Sequence, residues 1–66
     1  MNNLPKFIRI ERTCGETYFI NMSNVDEVIV REGYIEFVFN DGSQHFHGDD
    51  YPIALAAWLE YWKVSP

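Results

Sequence analysis

The chain of 66 residues has a single cysteine, only two histidines, five basic residues against ten acidic ones, and no long apolar run. Cys14 has no second cysteine to pair with, so no internal disulfide staples the fold. The N-terminal MNNLPKFIRI lacks both a charged segment followed by an apolar stretch and a small-residue cleavage site; with the unpaired thiol, this points to a reducing, cytoplasmic setting. Nowhere do the roughly 18 consecutive apolar residues of a membrane span occur, so a soluble protein without a membrane partner is expected. The shortage of lysine and arginine leaves a net charge of −5, which repels a phosphate backbone and argues against nucleic acid. There is no nucleophile elbow, phosphate loop or HExxH pattern; Gly33, Gly42 and Gly48 are isolated, and the adjacent carboxylates of Asp26-Glu27 would diverge on a strand. No enzymatic activity is expected and no cofactor is implied.

What is present is a packed globule. Apolar residues make up 47% of the chain and aromatic residues 17%, far too many for a disordered segment. The length allows one small domain, residues 1–66, with loose ends expected at 1–5 and 65–66. A domain of this size buries only about 60% of the surface its unfolded chain exposes, so folding alone and folding as an oligomer are both open. Charge is unevenly spread: residues 26–50 hold seven acidic residues and only Arg31 in opposition. That asymmetry suits solubility and would also suit a cationic partner.

Period-2 alternation from Lys6 to Arg12, with Ile8 and Ile10 on one face, marks a half-buried strand, and ETYFIN (16–21) marks the next. A three-residue Thr13-Cys14-Gly15 loop, with Gly15 in the left-handed region, sets Ile10 opposite Tyr18 and Ile8 opposite Ile20. MSNVDEV then breaks the alternation and suggests one helical turn capped by Ser23. EVIVR (27–31) and YIEFVFN (34–40) read as a hairpin about Glu32-Gly33, and Asp41-Gly42 signals another turn. Counting back from these turns pairs Val30 with Ile35, Val28 with Phe37, Phe37 with Phe46 and Glu36 with His47. In DDYPIALAAWLEYWK, Pro52 fits a first helical turn, Asp49 and Asp50 suit a helix N-terminus, and Leu55, Trp58, Leu59 and Trp62 recur at helical spacing as a lid. The expected fold is α+β: an antiparallel β-meander of about five strands with one C-terminal helix packed on the sheet, the alternative being a sheet curled toward a small barrel.

Three groups of residues are candidates for function. His45 and His47 share a face because alternate strand residues do, and with Glu36 or Asp49 they could ligate zinc. The same residues serve equally as cross-strand pairs, a turn and a helix start arriving in succession; histidines beside carboxylates could also sense pH. Cys14, at a loop tip, is either a tolerated surface residue or a reactive thiol, although no basic cluster in sequence activates it. Most informative are Phe7, Phe19, Ile29, Tyr34 and Val38, which the registers place on the face opposite the helix, joined by Ile53 and Tyr61 outside the helix stripe. Several apolar residues across successive strands suggest a surface that a protein partner or a second copy covers. The leading expectation is therefore a non-catalytic protein-interaction module, with homodimerisation as one form; metal binding through His45 and His47 is the competing class.

The run from YFINMSNVDEVIV through GYIEFVFNDGSQHFHGDD to the closing helix resembles the short bacterial proteins of the FlbD type. The likeness is one of layout: a hairpin, an N-x-x-x-V/I-x-x-I/V bridge, a second hairpin with a Gly turn and a C-terminal helix. It implies the same fold and a bacterial origin. That family is associated with flagella and offers no catalytic motif to carry over. The aromatic WLEYW departs from the family's more polar helix, and no motility role is taken from the resemblance.

Overall fold

The structure, a computed structural model, describes residues 7–64; the expected loose ends, and Lys6 at the start of the first alternating run, lie outside them. Five antiparallel strands and one C-terminal helix follow in chain order: β1 (Phe7–Glu11), β2 (Thr17–Asn21), β3 (Val25–Arg31), β4 (Tyr34–Phe39), β5 (Gly42–His47) and α1 (Tyr51–Val64). The meander is divided. β1 and β2 form one sheet, β3, β4 and β5 another, and among the described residues no barrel closes. A 3-10 turn at Met22–Asn24 makes the break, and a second one at Gly48–Asp50 leads into α1.

The first hairpin follows the sequence reading. Ile8 faces Ile20, Ile10 faces Tyr18, and the loop closes as the Arg12 N–H donates to the Glu16 carbonyl at 2.7 Å and the Gly15 N–H to the Arg12 carbonyl at 3.0 Å. Gly15 sits at φ 101°, a conformation that side chains rarely tolerate. The bridge differs in its cap. Asn21, rather than Ser23, occupies the N-cap, and its Oδ1 accepts from the Ser23 N–H at 3.0 Å. Asparagine matches or betters serine at this position, and here it stands one residue before the turn.

β3 begins at Val25, two residues earlier than expected, with a bulge at Asp26. Its pairing with β4 sets Val30 opposite Ile35 and Val28 opposite Phe37, as the Glu32-Gly33 turn requires. The β4–β5 register is corrected by two residues. Asn40 and Asp41 make the turn, and Gly42 is the first strand residue, opposite Phe39. Its φ of 153° is a backbone state that glycine enters freely, so a turn signal becomes a strand start. Phe46 therefore faces Ile35, His45 faces Glu36, and His47 faces Tyr34. Because the shift is even, every side chain keeps the face expected of it.

The core joins all three layers: Ile8, Ile10 and Ile20 from the hairpin, Ile35, Phe37 and Phe46 from the larger sheet, and Ala54 from the helix. Phe46 is central, meeting Tyr18 edge-on at 5.6 Å and Phe37 at 6.1 Å between ring centroids. The helix is rotated relative to its expected stripe. Leu59 and Trp62 are exposed and Leu55 and Trp58 half-buried, while Ala54 is fully buried and Ile53, Ala57 and Tyr61 pack partly against the core. Ile53 and Tyr61, expected outside the packed stripe, thus belong to it. The reason is volume. Phe37 and Phe46 already fill the space beneath the helix, so the small Ala54 and Ala57 take the close approach and the bulky residues splay to the rims.

Phe37 is fully buried between sheet and helix. Replacing it by Ala is expected to cost about 3–5 kcal/mol. A chain of this length has a total stability of the same order, at about 0.05–0.15 kcal/mol per residue. Urea denaturation followed by circular dichroism should therefore find Phe37→Ala largely unfolded without denaturant.

Candidate interaction surface

The face of the larger sheet turned away from the helix presents a compact polar and aromatic array. Adjacent cross-strand rows read Arg31, Tyr34, His47 and Ile29, Glu36, His45. The Tyr34 hydroxyl donates to Glu36 Oε1 at 2.7 Å, the Tyr34 and His45 rings stack at 5.7 Å, and those of His45 and His47 at 5.6 Å. Bonds from Ser43 and then Tyr34 lower the pKa of Glu36, and the bond to Glu36 raises that of Tyr34. Glu36 is thus an acceptor within its own sheet. Among the described residues, no three His, Cys, Asp or Glu side chains are grouped to hold a metal ion. Asp49, the other suggested ligand, is exposed in the 3-10 turn before α1. Cys14 is exposed at its loop tip, with Sγ 3.9 Å from Glu16 Oε1.

A second cluster ties the helix entrance to the tip of the β1–β2 hairpin. Asp50 Oδ2 accepts from Arg12 Nε at 3.0 Å, and Asp50 Oδ1 accepts from the Thr13 N–H at 2.9 Å and the Thr13 hydroxyl at 3.1 Å. Arg12 also reaches Glu16 at 2.8 Å and lies over the Tyr18 ring, its Cζ 5.6 Å from the centroid. The sequence reading gave Asp50 to the helix start alone. Its partners lie 37 and 38 residues away, and no local pattern signals such a bond.

Large apolar side chains reach solvent at two places. On the outer face of the hairpin, Phe7 (53% exposed) and Phe19 (63%) lie on the diagonal across β1 and β2. Elsewhere Val30 (43%) on β3 and Leu59 (46%) and Trp62 (57%) on α1 are exposed, and α1, which packs chiefly against β1, β4 and β5, leaves β3 uncovered. A groove of about 390 Å³ runs there between α1 and β3, with Trp58, Tyr61 and Trp62 as one wall and Met22, Val25 and Val28 as the other, and Asp26 and Glu27 at its margin. Of the residues expected at an interaction face, Phe7 and Phe19 are well exposed. Ile29, Tyr34 and Val38 are half-buried on the outer side of the larger sheet, and Ile53 and Tyr61 are half-buried beneath the helix. Helical periodicity points Leu59 and Trp62 inward, and the count from the Glu32-Gly33 turn does the same for Val30; all three are exposed. The close packing of Ala54 and Ala57 turns Leu59 and Trp62 outward.

Among the described residues, no helix is long and apolar enough to cross a membrane. Comparison of the chain with protein-family models, with curated proteins and with solved structures finds no match, and so bears neither way on the FlbD-type resemblance.

Bonds from the Thr13 N–H and then Arg12 hold the Asp50 pKa below its ordinary value. The stabilisation from Asp50 is therefore complete above the unfolded-state pKa of about 3.9 and is lost as the pH falls through the lower folded value. Asp50→Asn should lower the urea midpoint at pH 7 and flatten its decline between pH 5 and 2. Parallel pH profiles for the two proteins would reject this role for Asp50.

Proposed function

We propose that this chain is a non-catalytic protein-interaction module that acts by self-association. One observation carries the reading: the exposed Trp62 and the half-buried Trp58 and Tyr61 wall a groove that α1 leaves open beside β3, while the core holds seven buried apolar residues among the described ones. Isolated exposed apolar residues need no explanation, but aromatic side chains lining an open groove beside an uncovered strand are what interfaces present. Self-association also suits the size of the domain, because a second copy adds burial to the small core that a chain of 66 residues forms by itself. Among the described residues no three His, Cys, Asp or Glu side chains are grouped to hold a metal ion, Glu36 on the outer sheet face is engaged by Tyr34 and Ser43, and Cys14 has no second thiol.

The test is native mass spectrometry on untagged protein purified without chelator, so that bound metal would register as added mass. At a concentration on the order of 10 μM, a range in which modest interfaces are populated, the main species should have twice the 7.8 kDa chain mass, with no metal. Ile29→Ser should shift the population toward monomer while leaving the circular dichroism spectrum unchanged. A wild-type chain that stays monomeric at about 100 μM ends the self-association reading.

A further inference from the structure

Among the described residues β3 is an edge strand, paired with β4 on one side and with no strand on the other. Arg31 and Tyr34 flank a two-residue turn, so they form a hydrogen-bonded pair, and such pairs alternate with non-bonded ones along an antiparallel ladder. Ile29 and Arg31 thus direct their backbone N–H and C=O groups to β4. Those of Val28 and Val30 point to the open edge, where they form a template for another strand. The bulge at Asp26 closes this edge at one end and the Glu32-Gly33 turn closes it at the other. What remains is Glu27-Val28-Ile29-Val30-Arg31.

This stretch is complementary to itself. Laid antiparallel to a second copy and centred on Ile29, it sets Ile29 opposite Ile29 on the two-fold axis, and Glu27 opposite Arg31 and Val28 opposite Val30 twice each by the symmetry. Val28 and Val30 carry the edge-facing backbone groups, so both of their pairings are hydrogen-bonded. The neighbouring registers lack this match. Centring on Val28 sets Glu27 against Ile29 and Arg31 against Val25; centring on Val30 sets Arg31 against Ile29 and Glu27 against Gly33. Glu27 and Arg31 are both exposed, and among the described residues neither joins an ion pair. Opposite charges facing each other across strands are favourable and like charges are not, so the charges select the Ile29-centred register.

We infer that two copies of this chain associate through antiparallel β3–β3 pairing centred on Ile29, which joins their three-stranded sheets into one six-stranded sheet. The inference rests on the self-associating role proposed above and names its seam. The added strand covers Val30 and extends the apolar sheet surface beside the groove that Trp58 and Trp62 overhang. Because the pairing is two-fold, it consumes the β3 edge of both copies and closes at the dimer.

The experiment is sedimentation equilibrium on the full chain and four variants, with circular dichroism to verify folding. Glu27→Arg and Arg31→Glu each place like charges opposite each other twice per dimer and should weaken association by about tenfold or more. The double swap, Glu27→Arg with Arg31→Glu, restores both pairs and should return the dissociation constant to about the wild-type value. Val30→Pro removes an edge-facing N–H and none from the β4 ladder, so it should yield a folded monomer. If that variant does not fold, the charge swap alone decides. A dimer indifferent to both single charge changes would overturn the β3 seam and leave self-association standing through another face; a monomeric wild type would overturn both.

Discussion

No backbone ladder joins the two sheets among the described residues; whatever holds the hairpin to the rest of the molecule is made by side chains. Three contacts supply this. The isoleucines of β1 and β2 are buried against Phe46, Phe37 and Ala54, the Tyr18 ring meets Phe46 edge-on, and the Asp50 carboxylate grips the loop at Arg12 and Thr13. The first two are apolar and tolerate sliding. The carboxylate is directional, accepting from a backbone amide, a hydroxyl and a guanidinium at once, and so fixes where the hairpin sits along the helix entrance.

Placement of the helix follows from the same arrangement. Anchored at its N-terminal end over the hairpin loop, α1 runs across β1, β4 and β5 and leaves β3 to one side. An uncovered edge strand and an aromatic groove are thus results of how the core is closed. The groove's residues would be ordinary core in a longer or differently rotated helix. Here the alanines carry the close packing, and the tryptophans stand at the margin.

Much of this architecture was legible in the residues. The strand order, the register of both β1–β2 and β3–β4 and the inward set Ile8, Ile10, Ile20, Ile35, Phe37 and Phe46 follow from alternation and turn chemistry, which are local. Errors arose where two local signals compete or where contact is distant. Asn40-Asp41 and Asp41-Gly42 are both credible turns, and only the pairing energy of the full strands chooses between them. Periodicity misplaces the helix stripe because it counts apolar positions without weighing their volume. Asp50 could not be placed, since nothing near it announces a hairpin loop 37 residues upstream. At the candidate surface, Phe7 and Phe19 were visible from parity alone. The exposure of Leu59 and Trp62 depended on the rotation of the helix, which composition and spacing do not encode.

The Asp50 contact also has a consequence in time. β1 and β2 are synthesised before the helix that covers their isoleucines, and a two-stranded hairpin is marginal in water by itself. The β3–β4–β5 sheet, joined by two tight turns, closes over short loops, whereas the bonds from Arg12 and Thr13 to Asp50 must close one of nearly forty residues. The earliest segment of the domain to be made is then among the last to be secured, and its apolar face depends on the nascent chain continuing through α1.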